Sequence, residues 1–359
     1  MLKLWLRRIH LTLAVFTGIL LLNISISGAL LIYAKDIQAF INPEFWTIPT
    51  PQEQISLVLP LSKIIQNVEL ATNAKIKFIQ QEEQAQDAWL VSLTNGKYLN
   101  INPYNGEILL EHRYYDTFYG FIMSWHRWLL YTTDTNTKPL KVWISIASLI
   151  LIIEMLLGCI LWLRPKNRLK RLKIRWHAKP KELYSQLHTT IGILTSIPLI
   201  LIAFSGMAFH WQPATKQVVE WLSFSKVQTP NFQTELAVKQ DQYQIDYAYQ
   251  QGRKALKESR VFRVYLPQEQ GEPLKLRLRM PDESHGYSWS WVYPSTGEVI
   301  RTFDASNTSL ATKIWNFKYK FHIGEFFGWP IKALWFLLSL LPSFFVLSGI
   351  YLFMKRKKG

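Results

Sequence analysis

Four histidines occupy corresponding places in the two halves of the chain, and imidazole rings at such places could bind a metal. His10 and His188 stand at the start of long apolar segments, whereas His126 and His322 stand shortly before two others. Imidazole is the commonest transition-metal ligand of proteins, and it also ligates haem iron. Ionisable groups at a membrane-spanning segment are candidates for function. The alternative is an interfacial role beside the Trp and Tyr residues that gather at membrane surfaces.

The apolar segments that must position these histidines predict four transmembrane helices. They comprise residues 11–33, 142–163, 191–211 and 331–354. Each has about 20 residues, which as a helix would span roughly 30 Å of hydrocarbon. We expect the first to be an uncleaved anchor, because its apolar part is too long for a signal peptide.

Two charged residues fall inside these segments. Lys332 lies close enough to a helix end to reach the interface. Glu154 is either a proton-linked group or a carboxyl that is hydrogen-bonded to a serine or threonine of the bundle. We favour the hydrogen-bonded interpretation.

The net charge of +16 is concentrated on one side of this topology. Lys and Arg cluster in residues 1–10, in the loop 164–187 and in the tail 355–359, which four helices place on the same side of a membrane. The positive-inside rule therefore predicts a multi-pass protein of a bacterial inner membrane, with both termini in the cytoplasm. Contact with membrane lipid accounts for the charge, so nucleic acid is not expected as a partner.

The sequence contains an internal duplication. A shift of 178 residues aligns residues 10–28 with residues 188–206, with eight identical positions. A shift of 191 aligns NPYNGEIL (102–109) with YPSTGEVI (293–300), and Gly158 with Gly349. The predicted fold class is a membrane α-helical protein with four transmembrane helices in two tandem repeats of the same orientation. Each repeat would carry one small α+β extracytoplasmic domain.

Each domain is predicted to hold one helix followed by antiparallel strands. In the first, SLVLPLSKIIQNVELATN has a helical period, IKFIQQ, AWLVSLT and KYLNINPYNGEIL alternate like strands, and NG at 95–96 marks a hairpin. The second repeats this order from YQIDYAYQQGRKALKES to YSWSWVYPSTGEVIRTF. The predicted segments are transmembrane helix 1 (1–34), periplasmic domain 1 (35–141), helix 2 (142–163), the basic cytoplasmic loop (164–187), helix 3 (188–211), periplasmic domain 2 (212–330), helix 4 (331–354) and the cytoplasmic tail (355–359).

Ligands of one metal must lie at the same depth in the membrane. We therefore expect His10 to pair with His188 near the cytoplasmic face, and His126 to pair with His322 near the outer face. His210 is a competing ligand for the outer site, because it would lie roughly 33 Å along the third helix from His188.

The remaining histidines have simpler interpretations. We expect His112 and His285 on the surface of the α+β domains, and His177 among lipid headgroups. The position that matches His210 in the first half is Ile32, so His210 lacks a symmetric partner.

A pair of histidines at each of the two depths suits a planar cofactor better than a bare metal ion. Zn²⁺ would require four ligands. Two axial imidazoles with no open position favour electron transfer. Cys159 is the single cysteine and no CxxCH motif is present, so any haem would be a non-covalent b type. Two such layers would form an electron relay across the hydrocarbon.

Several motifs, in combination and order, resemble the PepSY-associated transmembrane proteins over nearly the whole chain. They are LRRIHLTLAVFTGILLL…SGALL, WHRWLL, FHIGEFFGWPIK…LSGIYLFMKR and the turns YNGEI and STGEV. The family includes iron-regulated inner-membrane proteins encoded beside siderophore receptors, some of which look like haem-bearing reductases of ferric siderophores. The resemblance implies two b-type haems, each between two histidines, and it places the family's histidines at His10, His126, His188 and His322.

The same resemblance implies a ferric-siderophore reductase whose acceptor is a periplasmic ferric siderophore. Some family members are fused to flavin reductase domains, but this chain has no such domain and no GxGxxG loop. Its electron donor would therefore be separate, either a quinol or a cytoplasmic reductase. The aromatic stretches FYGFIMSWHRW and YSWSWVY could frame the acceptor, although strand packing is the favoured interpretation of the second. The alternative function is a non-enzymatic PepSY-type membrane protein that binds or regulates a neighbouring transporter or peptidase.

Overall fold

The computed structural model describes residues 1–48, 58–164, 167–231, 244–281, 283 and 285–357, and it divides the chain into two compact units. The helical unit comprises Met1–Ala34, Phe121–Trp221 and Phe317–Gly359. The sheet unit comprises Lys35–Gly120 and Leu222–Asn316. The chain therefore enters each unit more than once.

Four helices of the described residues are long and apolar enough to cross a membrane, as the sequence predicted. They are α1 (Leu2–Ile41), α5 (Lys141–Leu163), α6 (Pro180–Met207) and α10 (Trp329–Lys357). The shorter helices are α2 (Pro43–Trp46), α3 (Leu61–Thr72), α4 (Phe118–Trp128), α7 (Gln212–Ser223), α8 (Ile245–Lys254) and α9 (Leu310–Ile323).

The third long helix begins earlier and ends earlier than the apolar segment indicated. Pro180 occupies the first turn, where its missing N–H costs nothing, and Glu182 complements the positive end of the helix dipole. His188 therefore lies two turns inside α6. The helix ends at Met207, so our expectation that His210 continues the same helix is wrong.

The core of the helical unit draws side chains from all four long helices. It comprises Leu21 of α1; Ala147, Leu151 and Met155 of α5; Leu199 and Ala203 of α6; and Phe345 and Val346 of α10. Close packing and polar contacts hold helices together in lipid, where the hydrophobic effect between helices is lost. The two alanines allow α5 and α6, which pack against each other, to approach closely.

A proline interrupts α10, and a hydroxyl of α1 bridges the interruption. Pro342 has no N–H and so leaves a gap in the helical hydrogen bonds. Ser25 Oγ donates to the carbonyl of Ser339 at 2.5 Å and accepts the N–H of Ser343 at 3.2 Å. Unsatisfied backbone groups are costly within a bilayer, so this contact fixes α1 against α10.

The sheet unit contains one continuous antiparallel sheet in the order β4-β3-β2-β1-β5-β6-β7-β8. The strands are β1 (Ile76–Gln80), β2 (Trp89–Leu93), β3 (Lys97–Ile101), β4 (Ile108–Arg113), β5 (Arg260–Tyr265), β6 (Leu274–Arg279), β7 (Ser288–Val292) and β8 (Val299–Phe303). The hairpin predicted at NG joins β2 to β3, where Gly96 has φ +84°.

The two α+β segments, which the sequence predicts as separate domains, are united in one sheet. Ile79 of β1 lies opposite Val264 of β5, which joins four strands from each half of the chain. Either half alone would leave an open strand edge, and the pairing satisfies both edges. Helices α3 and α8 cover one face of the sheet through a shared core that includes Ile64, Val68 and Ala248.

The opposite face of the sheet carries aromatic and basic side chains. Trp289 stacks on Tyr265 and on Trp291, with ring centres 5.7 and 5.8 Å apart. The guanidinium of Arg263 lies 4.2 Å from the ring centre of Phe78, which is a cation–π contact. Strand packing, the favoured interpretation of YSWSWVY, accounts for Trp291, which is buried, but not for the half-exposed Trp289.

Candidate functional site

The structure brings His10 of α1 and His188 of α6 together within the helical unit. Their ring centres are 6.4 Å apart and their planes are nearly perpendicular, at 89°. Both side chains are half-buried. The two rings lie together, as the sequence predicts, and we name them the inner pair after the cytoplasmic depth that the sequence predicts for them.

His126 of α4 and His322 of α9 form a second pair, which we name the outer pair. Their ring centres are 6.3 Å apart, with an interplanar angle of 50°. His126 lies on its own helix before α5, and His322 lies on its own helix before α10. Neither ligand candidate is therefore part of a long apolar helix.

The spacing within both pairs fits two imidazoles that share one metal. A metal–nitrogen bond of about 2 Å, with about 1 Å more from that nitrogen to the ring centre, places two trans rings about 6 Å apart. Two imidazole rings in direct contact can also lie this far apart. The hydrogen bonds and the space around each ring must therefore support the assignment of a metal site. No cluster of three or more His, Cys, Asp or Glu side chains suited to a bare metal occurs in the described part of the chain.

Serine hydroxyls hold the Nδ1 atoms of the outer pair. Ser27 Oγ lies 3.1 Å from Nδ1 of His126, and Ser205 Oγ lies 3.0 Å from Nδ1 of His322. Backbone carbonyls add a second contact to each ring, from Ile24 at 3.1 Å and from Ile202 at 3.2 Å. With Nδ1 engaged in this way, Nε2 is the nitrogen left to ligate a metal.

The inner pair has only one such contact among the described residues. Ser348 Oγ lies 2.8 Å from Nδ1 of His188. Nδ1 of His10 is buried and has no hydrogen-bond partner in that part of the chain. The two pairs therefore differ in their hydrogen bonding.

Ser27 and Ser205 of the outer pair each precede a glycine that makes room for a histidine ring. A Cβ at Gly28 would lie 3.0 Å from Cε1 of His126, and a Cβ at Gly206 would lie 3.2 Å from Cε1 of His322. Both distances are below ordinary contact. The serines were not predicted from the sequence as histidine partners, although their place before a glycine at matched positions of the duplication was an available signal.

A cavity of about 1050 Å³ opens at the inner pair. His10, His188 and Glu154 line it, together with apolar side chains of α1, α5 and α10. Its basic lining residues are Arg7, Lys170, Arg171, Lys173, Arg175, Lys179 and Lys181. The volume is at the upper end of cofactor sites, and the lining combines an apolar wall with cations that would attract carboxylates.

Glu154 does not make the hydrogen bond that we favoured from the sequence. Its side chain is 5% exposed, and Oε1 is buried with no hydrogen-bond partner among the described residues. No serine or threonine of the described bundle reaches that atom. A buried carboxyl without a partner is costly, so Glu154 is a candidate functional group beside the inner pair.

His210 does not join the outer pair. It lies exposed in the turn after α6, where Nδ1 is 2.9 Å from Ser145 Oγ and the ring lies beside Trp211. His126 makes its histidine contact with His322 instead.

The histidines of the sheet unit are less exposed than expected. His112 is half-buried, and Nδ1 lies 3.1 Å from the carbonyl of Arg113. Burial lowers its pKa below the usual value. His285 packs against the ring of Phe262, with ring centres 5.3 Å apart. His177 is exposed, in a basic turn of the helical unit.

The comparisons with known proteins agree with the helical architecture. The family model described as the PepSY-associated TM region matches residues 7–356, which is nearly the whole chain. No curated protein is significantly similar to the chain in sequence.

Proposed function

The chain belongs to the family of proteins with a PepSY-associated TM region, and on that premise we propose that it is a di-haem b electron-transfer protein of a bacterial inner membrane. It would reduce a ferric siderophore outside the cytoplasm. The observation that carries the proposal is the presence of two histidine pairs, in one helix bundle, whose ring centres lie 6.4 and 6.3 Å apart.

The residues at each pair fit a non-covalent haem. His10 with His188 would hold one haem, and His126 with His322 would hold the other. When bound, a haem held by two histidines would supply one-electron redox chemistry. The serines fix ring orientation by accepting the Nδ1 protons, and Gly28 and Gly206 leave the space that the outer rings occupy.

The inner cavity supports this assignment through its lining. The apolar wall suits a porphyrin ring, and the cations between Lys170 and Lys181 suit its two carboxylates. The same basic loop, with both termini, carries nearly all of the net positive charge. The positive-inside rule then orients the inner pair toward the cytoplasm and the outer pair toward the periplasm.

The electron donor would be a separate molecule, either a quinol or a cytoplasmic reductase. One electron passed to the ferric chelate yields the ferrous state, for which hard oxygen ligands have less affinity, and the iron is released. The half-exposed ring of Trp289, between Tyr265 and Trp291 and near Arg277, is suited to an anionic acceptor with aromatic groups.

The test is a haem count with reduced-minus-oxidised spectra for the purified full-length protein and its histidine variants. We expect two haems in the wild type and one in each of His10→Ala, His188→Ala, His126→Ala and His322→Ala. The double variant of one pair should lose no more haem than either single variant, because each haem needs both rings.

His210→Ala is the matched control, since it removes an imidazole of the same unit that lies outside both pairs. It should retain both haems. A colourless protein purified from haem-replete cells would contradict the proposal. It would favour the alternative, in which the sheet unit binds or regulates a neighbouring membrane protein.

A further inference from the structure

The two histidine pairs are not equivalent in their hydrogen bonds. In the outer pair, each Nδ1 has two oxygen partners, one hydroxyl and one backbone carbonyl. In the inner pair, His188 has one oxygen partner, Ser348, and His10 has none among the described residues.

The difference has a source in the sequence. The shift of 191 that aligns Gly349 with Gly158 places Leu157 at the position of Ser348. The half of the chain that would supply a hydroxyl to His10 therefore supplies an aliphatic side chain. A Cβ added at Gly158 would meet no atom within 4 Å, whereas a Cβ added at Gly349 would lie 3.9 Å from Cε1 of His188. Three of the four matched glycines therefore follow a serine that contacts a histidine, whereas the fourth, Gly158, follows Leu157.

This asymmetry has an electronic consequence for a bound metal. A histidine that ligates through Nε2 carries its proton on Nδ1, and an oxygen that accepts this proton raises the electron donation of the ring. The serine hydroxyls in turn donate to carbonyls of their own helices, from Ser27 to Asn23 at 2.5 Å and from Ser205 to Ile202 at 2.8 Å. Such chains reinforce each acceptor. Greater donation stabilises the oxidised metal and lowers the reduction potential.

Resting on the proposed function, we propose that the inner and outer sites have unequal reduction potentials, and that the outer site has the lower one because all of its imidazole protons are accepted. Ser27, Ser205 and Ser348 are then positioning residues that tune the sites through the histidines. The cations that line the inner cavity act in the same direction, because positive charge favours the reduced state.

The first test compares the two sites in the intact protein. Redox titration followed by absorbance should give two midpoint potentials in the wild type. His188→Ala, which retains the outer haem, should keep the lower of the two. His126→Ala, which retains the inner haem, should keep the higher. Equal potentials, or the opposite order, would overturn the inference while leaving the haem count intact.

The second test separates the hydrogen bond from the cations. Ser348→Ala removes the single acceptor of the inner pair and should raise the inner potential. Ser27→Ala should shift the outer potential less, because the carbonyl of Ile24 remains as an acceptor. Ser348→Thr keeps the hydroxyl and should restore the wild-type value. An unchanged inner potential in a fully loaded Ser348→Ala protein would refute the role of this serine.

The tests distinguish failure of this inference from failure of the proposed function. A protein without haem would refute the function, whereas a protein with two haems of equal, serine-independent potentials would refute only the inference. If Ser348→Ala lost its inner haem, the order of the two wild-type potentials would still decide the question.

Discussion

Substitution of Gly28 by alanine should weaken cofactor binding at the outer pair by a predictable amount. The added Cβ would lie 3.0 Å from Cε1 and 3.4 Å from Nδ1 of His126. Carbon atoms in normal contact are about 3.5–4.0 Å apart, so the ring must withdraw by about 0.5 Å. Its contacts with Ser27 and Ile24, which come from the same helix as Gly28, oppose that movement.

Overpacking of this kind costs about 1–3 kcal/mol. Since about 1.4 kcal/mol corresponds to a tenfold change in an equilibrium constant, haem affinity at the outer pair should fall about 5-fold to 150-fold. The assay is transfer of haem from the purified protein to an excess of apomyoglobin, with the inner haem as an internal standard. Gly206→Ala, with a contact of 3.2 Å, should give a smaller effect in the same direction.

The chain offers matched controls on the same kind of helix. Gly158→Ala places its Cβ in open space, and Gly349→Ala makes an ordinary contact of 3.9 Å with His188. Alanine is favoured over glycine within a helix by about 1 kcal/mol, so neither control should release haem and both should tolerate heat slightly better. If Gly28→Ala released haem no faster than Gly158→Ala, the position assigned to the His126 ring would be wrong.

Three further outcomes follow from other parts of the structure. Glu154→Leu should raise the free energy of unfolding of the protein without haem by about 1–3 kcal/mol, because it replaces a buried carboxyl that lacks a partner with an apolar side chain of similar size; a loss of stability would reveal a structural role. Gly252→Ala should lower the unfolding temperature of the sheet unit in calorimetry, because its Cβ would lie 2.8 Å from a methyl of Leu276 in the core between α8 and β6; an unchanged unfolding temperature would show that this core can move aside. Burial raises the pKa of Asp87, with a further contribution from the charge of Glu82, so the folded carboxyl keeps its proton to higher pH than the unfolded one. Stability should therefore decrease as the pH rises through the folded pKa, and Asp87→Asn should lack this component when thermal unfolding is measured between pH 4 and pH 8; a variant with an unchanged pH profile would exclude this carboxyl as the cause.

The long helices and the histidine pairs were predictable from the sequence for separate physical reasons. A run of about 20 apolar residues has few structural options other than a membrane-spanning helix. The pairs followed from the duplication, because two repeats predicted to have the same orientation would place matched positions at the same depth. The helix ends were less predictable, because polar first turns such as that of α6 at Pro180 carry no hydropathy signal.

The union of the two sheets could not be read from the sequence. The strand IKFIQ has an apolar pattern that suits a central strand and a covered edge equally well, so nothing local indicates that β1 pairs with β5. The hydroxyl contacts to histidine were hidden for a related reason. A serine in an apolar helix usually bonds to the carbonyl four residues earlier, and only the facing helix shows that Ser27 also reaches His126.

The pairing of Ile79 with Val264 also sets an order of assembly. At synthesis rates of about 5–20 residues per second, β1 waits roughly 10–40 s for its neighbour to emerge. During that interval β1 is an edge strand with unpaired backbone N–H and C=O groups, and such an edge is a template for aggregation. A chain that stops after its first half would keep that edge exposed permanently. Quality control of the nascent protein can therefore act on a defect that the finished molecule no longer displays.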